Sequence, residues 1–417
     1  LLPKGDLVFE LEVSMELLLS FTLAVAIVVT AAKLSGYLSA RLGQPAVVGE
    51  LLMGLILGPT LLDMLHWPVL GGGELEETFH QLAHLGVLLL MFIAGLEVDL
   101  GSMLQTGRPA VLAGTLGVVA PIVLGALVVL PFGFGIQDSL AMGLVLAATS
   151  VSISAQTLME LGVLRSRVGI ALLGAAVVDD VLAILALSLF LALATGGAGG
   201  ALALVWVLVR MIAFLVTAGA AGFLLIPRLA PRVDRLPISQ GLLALAFVIA
   251  LVYGWAAEAL GGMAAITGAF LAGVLFARTS LRRTIEEGMH SLAYAWLVPV
   301  FFVSIGLSVD AKGLGWNDLL LTLVIIVVAL VSKVLGAGLG ARWGGFSSRE
   351  SLQLGAGMMS RGEVGLIVAT AELEANLIGE QVFADVVIMV LVTTLVTPVV
   401  LRALYPKNRE RAQSVLD

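Results

Sequence analysis

The sequence predicts an all-α polytopic membrane protein. It expects thirteen transmembrane helices, two inverted five-helix repeats and two crossed discontinuous helices. Three observations lead to that class. The 417 residues are 60% hydrophobic and 12% charged, against about 25% charged in an ordinary soluble domain. Apolar stretches of spanning length follow one another along nearly the whole chain. Short motifs from the first part of the chain recur later in the same order.

The spans read as 14–33, 45–63, 81–99, 110–134, 140–164, 169–195, 201–227, 238–261, 263–278, 292–310, 316–343, 351–377 and 380–405. No A-x-A cleavage signal follows the first, so it reads as a retained helix. Placement of Lys and Arg sets the orientation. With the N-terminus outside, seventeen basic residues fall in inner segments, from Lys33 and Arg41 to Arg409 and Arg411, and only Lys4 and Lys312 fall outside. That bias needs an odd number of crossings. Arg210, Lys333 and Arg361 remain inside spans. Arg210 reads as a snorkelling side chain that reaches lipid phosphate. Gly196–Gly200 reads as a flexible outer turn.

The repeat rests on two motif pairs. Gly49-Glu-Leu-Leu-Met-Gly54 in the second span resembles Gly268-Ala-Phe-Leu-Ala-Gly273 in the ninth, and Gly95-Leu-Glu-Val-Asp99 resembles Gly306-Leu-Ser-Val-Asp310. Seven spans separate equivalent members, which inverts one half against the other. Inverted repeats are a transporter signature. The offset from Gly95 to Gly306 is 211 residues, and it carries Ala148-Thr-Ser-Val151 onto Met359-Ser-Arg-Gly362. Both are polar interruptions of apolar segments, tolerated at membrane depth where backbone is buried or lines a cavity. Two broken helices that meet are expected there. The plainer reading is two intact helices with Ser and Thr bonded to their own carbonyls.

Charge in the spans marks the site. Asp179 and Asp180 stand adjacent near the middle of the sixth span. An ionised Asp at a helix centre costs roughly 2.5–3.5 kcal/mol, so both must face a partner or water. Neighbours on a helix diverge by about 100°. One acid therefore pairs with Lys333, the Lys interior to a span, and the expected ion pair is Asp179–Lys333. Asp180 is left as the acid that exchanges a proton for a hard cation. Thr149 and Ser150 offer hydroxyl ligands, and both carboxylates count as ligands for Na+. Arg361 and Glu363 read as structural charges where the broken helices cross. Glu50, Glu97 and Asp99 read as solvated helix ends at an inner mouth. The chain has no Cys and four scattered His, which excludes disulfides, thiolate metal sites and Cys nucleophiles.

Ala148-Thr-Ser-Val-Ser-Ile-Ser154, Gly174-Ala-Ala-Val-Val-Asp-Asp180, Ser332-Lys-Val-Leu-Gly336 and Ser360-Arg-Gly-Glu-Val-Gly-Leu366 resemble bacterial sodium/proton antiporters of the NapA and GerN type. These belong to the monovalent cation:proton antiporter superfamily. The resemblance implies a dimerisation domain from residues 1–109 and 238–315. It implies a core domain from 110–195 and 316–417, the latter with a cytoplasmic tail, and a linker helix in 196–237. It implies elevator-like alternating access, a homodimer in the bacterial inner membrane and electrogenic Na+(Li+)/H+ exchange with Asp180 as the essential acid. No enzymatic activity, cofactor or nucleic-acid partner is expected; the partners are lipid, monovalent cations, protons and a second copy.

Three other readings stay open. A K+/H+ antiporter of the Kef type differs only in ion size, although Kef systems carry Gln-Asp where this chain has Asp179-Asp180. An intramembrane aspartyl protease needs two carboxylates facing across a shared water, and adjacent helical residues diverge. A channel needs neither an inverted repeat nor an ionisable site at the midplane.

Overall fold

The computed structural model describes residues 4–42, 44–70, 75–97, 107–194, 200–307, 319–362, 365, 368–369, 373 and 378–405. It is helical throughout the described residues, without a strand. In chain order the helices are α1 (Lys4–Arg41), α2 (Ala46–Leu57), α3 (Glu76–Glu97), α4 (Gly107–Val129), α5 (Ile136–Ala147) and α6 (Val151–Glu160). Then come α7 (Arg167–Ala194), α8 (Gly200–Asp234), α9 (Gly241–Ala256), α10 (Ala265–Phe276) and α11 (Arg282–Leu292). The last are α12 (Val298–Leu307), α13 (Leu319–Trp343), α14 (Ser348–Gly357) and α15 (Glu380–Leu404). Among the described residues, ten stretches are long and apolar enough to cross a bilayer, and α2 and α10 are shorter apolar helices.

Several boundaries depart from the sequence reading for local reasons. The second span is expected to reach residue 63, but α2 stops at Leu57 because Gly58 precedes Pro59 and takes an extended conformation. A residue before proline is kept out of the helical region. The tenth span begins ten residues early. Arg282–Leu292 looks like a polar loop, yet it buries Ile285 and Met289 and pairs Arg283 with Glu287 at 2.9 Å. A π turn, Ala293–Leu297, joins it to α12. The fifth span is broken where the sequence reading expects it: it is two helices, α5 and α6, with Ala148–Ser150 between them out of helix.

The helices pack in two groups. α1, α2, α3, α9, α10, α11 and α12 form one, and α4, α5, α6, α7, α13, α14 and α15 the other; α8 touches members of both. Small residues bring backbones together within each group. A Cβ on Gly54 would stand 2.1 Å from the Val303 carbonyl oxygen and 3.0 Å from the Gly306 Cα; one on Gly273 would stand 2.1 Å from the Phe92 carbonyl oxygen and 3.0 Å from the Gly95 Cα. Gly54–Gly306 and Gly95–Gly273 are thus two closely similar crossings, α2 on α12 and α3 on α10. Asp99 and Asp310, which complete the second motif pair, lie outside the described residues, as does most of the Gly196–Gly200 turn.

The helix that carries Lys333 shows the solvent logic of the fold. On α13, Leu320, Leu323, Val327, Val331, Leu335 and Leu339 are exposed at intervals of three or four residues. The opposite face buries Thr322, Ile325, Ala329, Ser332, Lys333, Ala337 and Ala341. The exposed face is apolar, as a lipid-facing surface requires, and the polar side chains turn into the protein.

Candidate functional site

The site begins at two gaps in the helical backbone. α5 ends at Ala147 and α6 starts at Val151; α14 ends at Gly357 and the chain is out of helix from Met359 to Gly362. The two gaps touch. The Ser150 N–H donates to the Ser360 carbonyl at 2.9 Å, and Ser154 Oγ donates to the Gly357 carbonyl at 2.5 Å. A Cβ on Gly362 would lie 2.7 Å from Ser150 Oγ, so only glycine lets the two segments cross this closely. Ser150 Oγ and Ser152 Oγ share a hydrogen bond at 2.9 Å, and Thr149 Oγ1 donates weakly to the Ala147 carbonyl at 3.4 Å.

Arg361 holds the second gap. Fully buried, it donates through Nη1 to the Met358 and Met359 carbonyls at 3.2 and 2.7 Å and through Nη2 to the Ala329 carbonyl at 2.9 Å. The carbonyls at a helix C-terminus have no intrahelical donor, and the guanidinium supplies one while its charge opposes the dipole. Thr393 Oγ1 accepts from the Arg361 N–H at 3.3 Å, and Thr394 Oγ1 donates to its carbonyl at 2.5 Å. Glu363, expected beside it, lies outside the described residues.

α7 brings the two acids to this crossing. Asp179 is fully buried, and its Oδ1 accepts from Lys333 Nζ on α13 at 2.5 Å. Gly117 on α4 faces the pair: a Cβ there would sit at ordinary contact distances, 3.4 Å from Asp179 Oδ1 and 3.7 Å from Lys333 Nζ. Asp180 turns the other way, toward α10, where Thr267 Oγ1 donates to its Oδ2 at 3.0 Å. Asp180 is 7% exposed and lines a small cavity with Val151, the first residue after the α5–α6 gap, and with Met91, Ile266, Thr267 and Phe270. Asp179, Asp180, Lys333 and the crossing therefore converge. Among the described residues no set of three or more His, Asp or Glu could hold a metal ion. A cation here would rely on one or two carboxylates, with hydroxyl, carbonyl or water oxygens completing its shell.

Several polar residues escape the sequence reading. Thr267 is one. Arg210, expected to snorkel to lipid phosphate, finds partners within the protein. It donates to the carbonyls of Leu260 at 2.5 Å and Ala259 at 2.6 Å, capping the π turn that ends α9. Glu50 is buried, not a solvated helix end. Glu97 lies 3.7 Å from Arg165. Asp385 is a further buried acid, accepting from Thr322 Oγ1 at 2.5 Å between α15 and α13.

Comparison with known proteins places this architecture. The profile of the transmembrane sodium/hydrogen exchanger family matches residues 24–406. The Na(+)/H(+)-K(+) antiporter GerN of Bacillus cereus is 38% identical over 384 residues, 92% of this chain and 95% of that protein. The Na(+)/H(+) antiporter of Enterococcus hirae is 34% identical over 380 residues, 90% of this chain and 96% of that protein. The solved sodium proton antiporter MjNhaP1 of Methanocaldococcus jannaschii matches with a TM-score of 0.67 over 93% of this chain and 97% of that one. At 17% identity that likeness is one of fold.

Proposed function

The chain belongs to the sodium/hydrogen exchanger family, and from that premise we propose that it is a secondary Na+(Li+)/H+ antiporter with Asp180 as the shared cation and proton site. The family is one of transporters, not enzymes. The observation that carries the assignment is the division of labour on α7. Asp179 is committed to Lys333, while the next residue presents its carboxyl to a cavity beside the crossed backbone gaps. One carboxylate that holds either a proton or a cation couples the two flows by competition.

Exchange further requires access from alternate sides. The two packing groups are consistent with a division into a core, 110–195 with 316–417, and a dimerisation domain, 1–109 with 238–315, joined by the linker at 196–237. The core slides like an elevator, carrying α7 and α13 past α3 and α10. The paired glycine crossings support the inverted five-helix repeats. The ten long spans, α2, α10 and the interrupted stretch that begins with α14 support thirteen crossings. The protein works as a homodimer in the bacterial inner membrane, N-terminus outside and C-terminus in the cytoplasm. Exchange is electrogenic: a cation that binds at Asp180 and Asp179 displaces one proton from Asp180 and frees Lys333 to release a second.

A second reading is favoured by one finding. The relative GerN is named a Na(+)/H(+)-K(+) antiporter, so K+ is the alternative cargo. Proteoliposomes carrying a pH-sensitive dye and challenged in turn with Na+, Li+ and K+ decide between them. A response to Na+ and Li+ that Asp180→Asn abolishes, with the variant still folded, is expected. A response to K+ alone overturns the sodium assignment, and undiminished exchange in Asp180→Asn removes that residue from the site.

A further inference from the structure

Thr267 stands at the start of α10, where the structure fixes backbone tightly. Its N–H donates to the Ala264 carbonyl at 3.0 Å. The preceding π turn is capped by Arg210. At the next residue, Gly268, a Cβ would come within 2.0 Å of the Tyr253 carbonyl oxygen, so α10 is seated directly on α9. The Thr267 hydroxyl therefore projects from a rigid mount. A helical Thr commonly turns its hydroxyl back to its own carbonyls. This one donates to Asp180 Oδ2, 87 residues away and in the other packing group.

The surroundings make that contact matter. Apart from Asp180 and Thr267, the cavity lining is apolar, with Met91 from α3, Val177 from α7, and Ile266 and Phe270 from α10. Its volume, about 10 Å³, is at the lower limit for a single water. A carboxylate cannot cross such a wall cheaply without a polar partner.

We propose that Thr267 is a positioning residue for the exchange: its hydroxyl meets the Asp180 carboxyl as the helices carrying that acid pass the apolar wall of α10. A hydroxyl can donate to a carboxylate and accept from a carboxylic acid, so it serves the crossing in either protonation state. The proposal rests on the reading of Asp180 as the exchanging acid. It predicts an effect on the passage, and so on maximal rate, more than on cation affinity.

The test measures Na+-driven proton flux in proteoliposomes over a range of Na+ for the parent, Thr267→Val, Thr267→Ser and Asp180→Asn. Thr267→Val keeps the shape without the hydroxyl. Its maximal rate should fall about tenfold or more, the loss expected for one hydrogen bond to a charged group, with half-saturating Na+ changed by less than about twofold. Thr267→Ser should stay within about threefold of the parent. Thr267→Ala replaces Val if Val does not fold. A hydroxyl-free variant at the parent's maximal rate overturns the proposal, and so does a loss confined to half-saturating Na+, or a Ser variant as slow as Val. Asp180→Asn keeps the two readings apart. If it is silent while Thr267→Val runs normally, only the role of Thr267 fails; if it exchanges ions, the Asp180 reading fails.

Discussion

Lys333 Nζ donates to Asp179 Oδ1 at 2.5 Å, joining α13 to α7 with both side chains out of solvent. Removing one partner of a buried pair costs about 3–5 kcal/mol, because the other charge is left buried without compensation. The contact also ties the cation site to a group that can surrender a proton. When a cation takes up Asp179, the ammonium is left in a dry site without its counter-charge. Lys333→Gln keeps a hydrogen-bonding side chain but deletes that proton. The variant should be less heat-stable in detergent, exchange one proton per sodium and lose its voltage response. One charge moved across 100 mV is worth about 2.3 kcal/mol, so the change is large enough to record as current. Sodium-driven charge per turnover equal to the parent's would leave Lys333 a purely structural role.

Arg361 serves three carbonyls and no carboxylate partner within salt-bridge reach among the described residues. Each buried acceptor left without a donor costs about 1–3 kcal/mol. Arg361→Ala should therefore unfold at markedly lower temperature, while any residual exchange keeps the parent's ranking of Na+, Li+ and K+. Arg361→Lys should recover part of the stability, since an ammonium donates three bonds but lacks the planar fork. A stable Ala variant with a reordered cation ranking would put Arg361 in the ion site.

At the end of α6, the Glu160 carboxylate accepts from the Ala46 N–H at 2.6 Å and the Val47 N–H at 3.3 Å, capping α2 in the other packing group. Gln156 links Glu160 to Tyr294 OH. The first N–H groups of a helix have no intrahelical acceptor, and losing a cap costs about 0.5–2 kcal/mol. Hydrogen exchange at Ala46 and Val47 should accelerate roughly tenfold in Glu160→Ala. Unchanged protection there would show that the carboxylate contributes nothing to holding the two groups together.

How much of this could be read from the sequence follows from cost and distance. Asp179, Asp180 and Lys333 stood out because charge inside a span is expensive and must be paired. The gap at 148–150 stood out as hydroxyl side chains in an apolar run. The early end of α2 was missed: Gly58-Pro59 is a local stop signal, but the apolar residues beyond it carried the expected span to residue 63. Thr267 and Asp385 were not legible. A single Thr or Asp near a span end looks self-satisfied or solvated, and its partner here is 87 or 63 residues away. Arg210 failed for a related reason. Snorkelling to lipid and capping a distant π turn suit the same long side chain, and only the fold chooses between them.

The approach of α13 to α4 sets the last prediction. A Cβ on Gly336 would stand 2.3 Å from the Leu116 carbonyl oxygen, and one on Gly340 2.2 Å from that of Leu112. Both obstacles are helix backbone, which cannot swing aside, so Gly336→Ala must push the helices apart. That shift would carry Lys333 away from Asp179. Gly117 lies in the same interface but is different: its Cβ would meet Ala337 Cβ at 3.5 Å and Asp179 Oδ1 at 3.4 Å, ordinary contact distances. Overpacking costs typically 1–3 kcal/mol, whereas Gly to Ala within a helix returns about 1 kcal/mol where space allows. Gly336→Ala should therefore lose stability and exchange together, and Gly117→Ala should fold at least as well as the parent and still transport. Thermal unfolding in detergent, run beside flux in proteoliposomes, separates the two. Equal damage from both substitutions would mean that general crowding around the ion pair, not backbone contact at Gly336, limits how closely α4 and α13 pack.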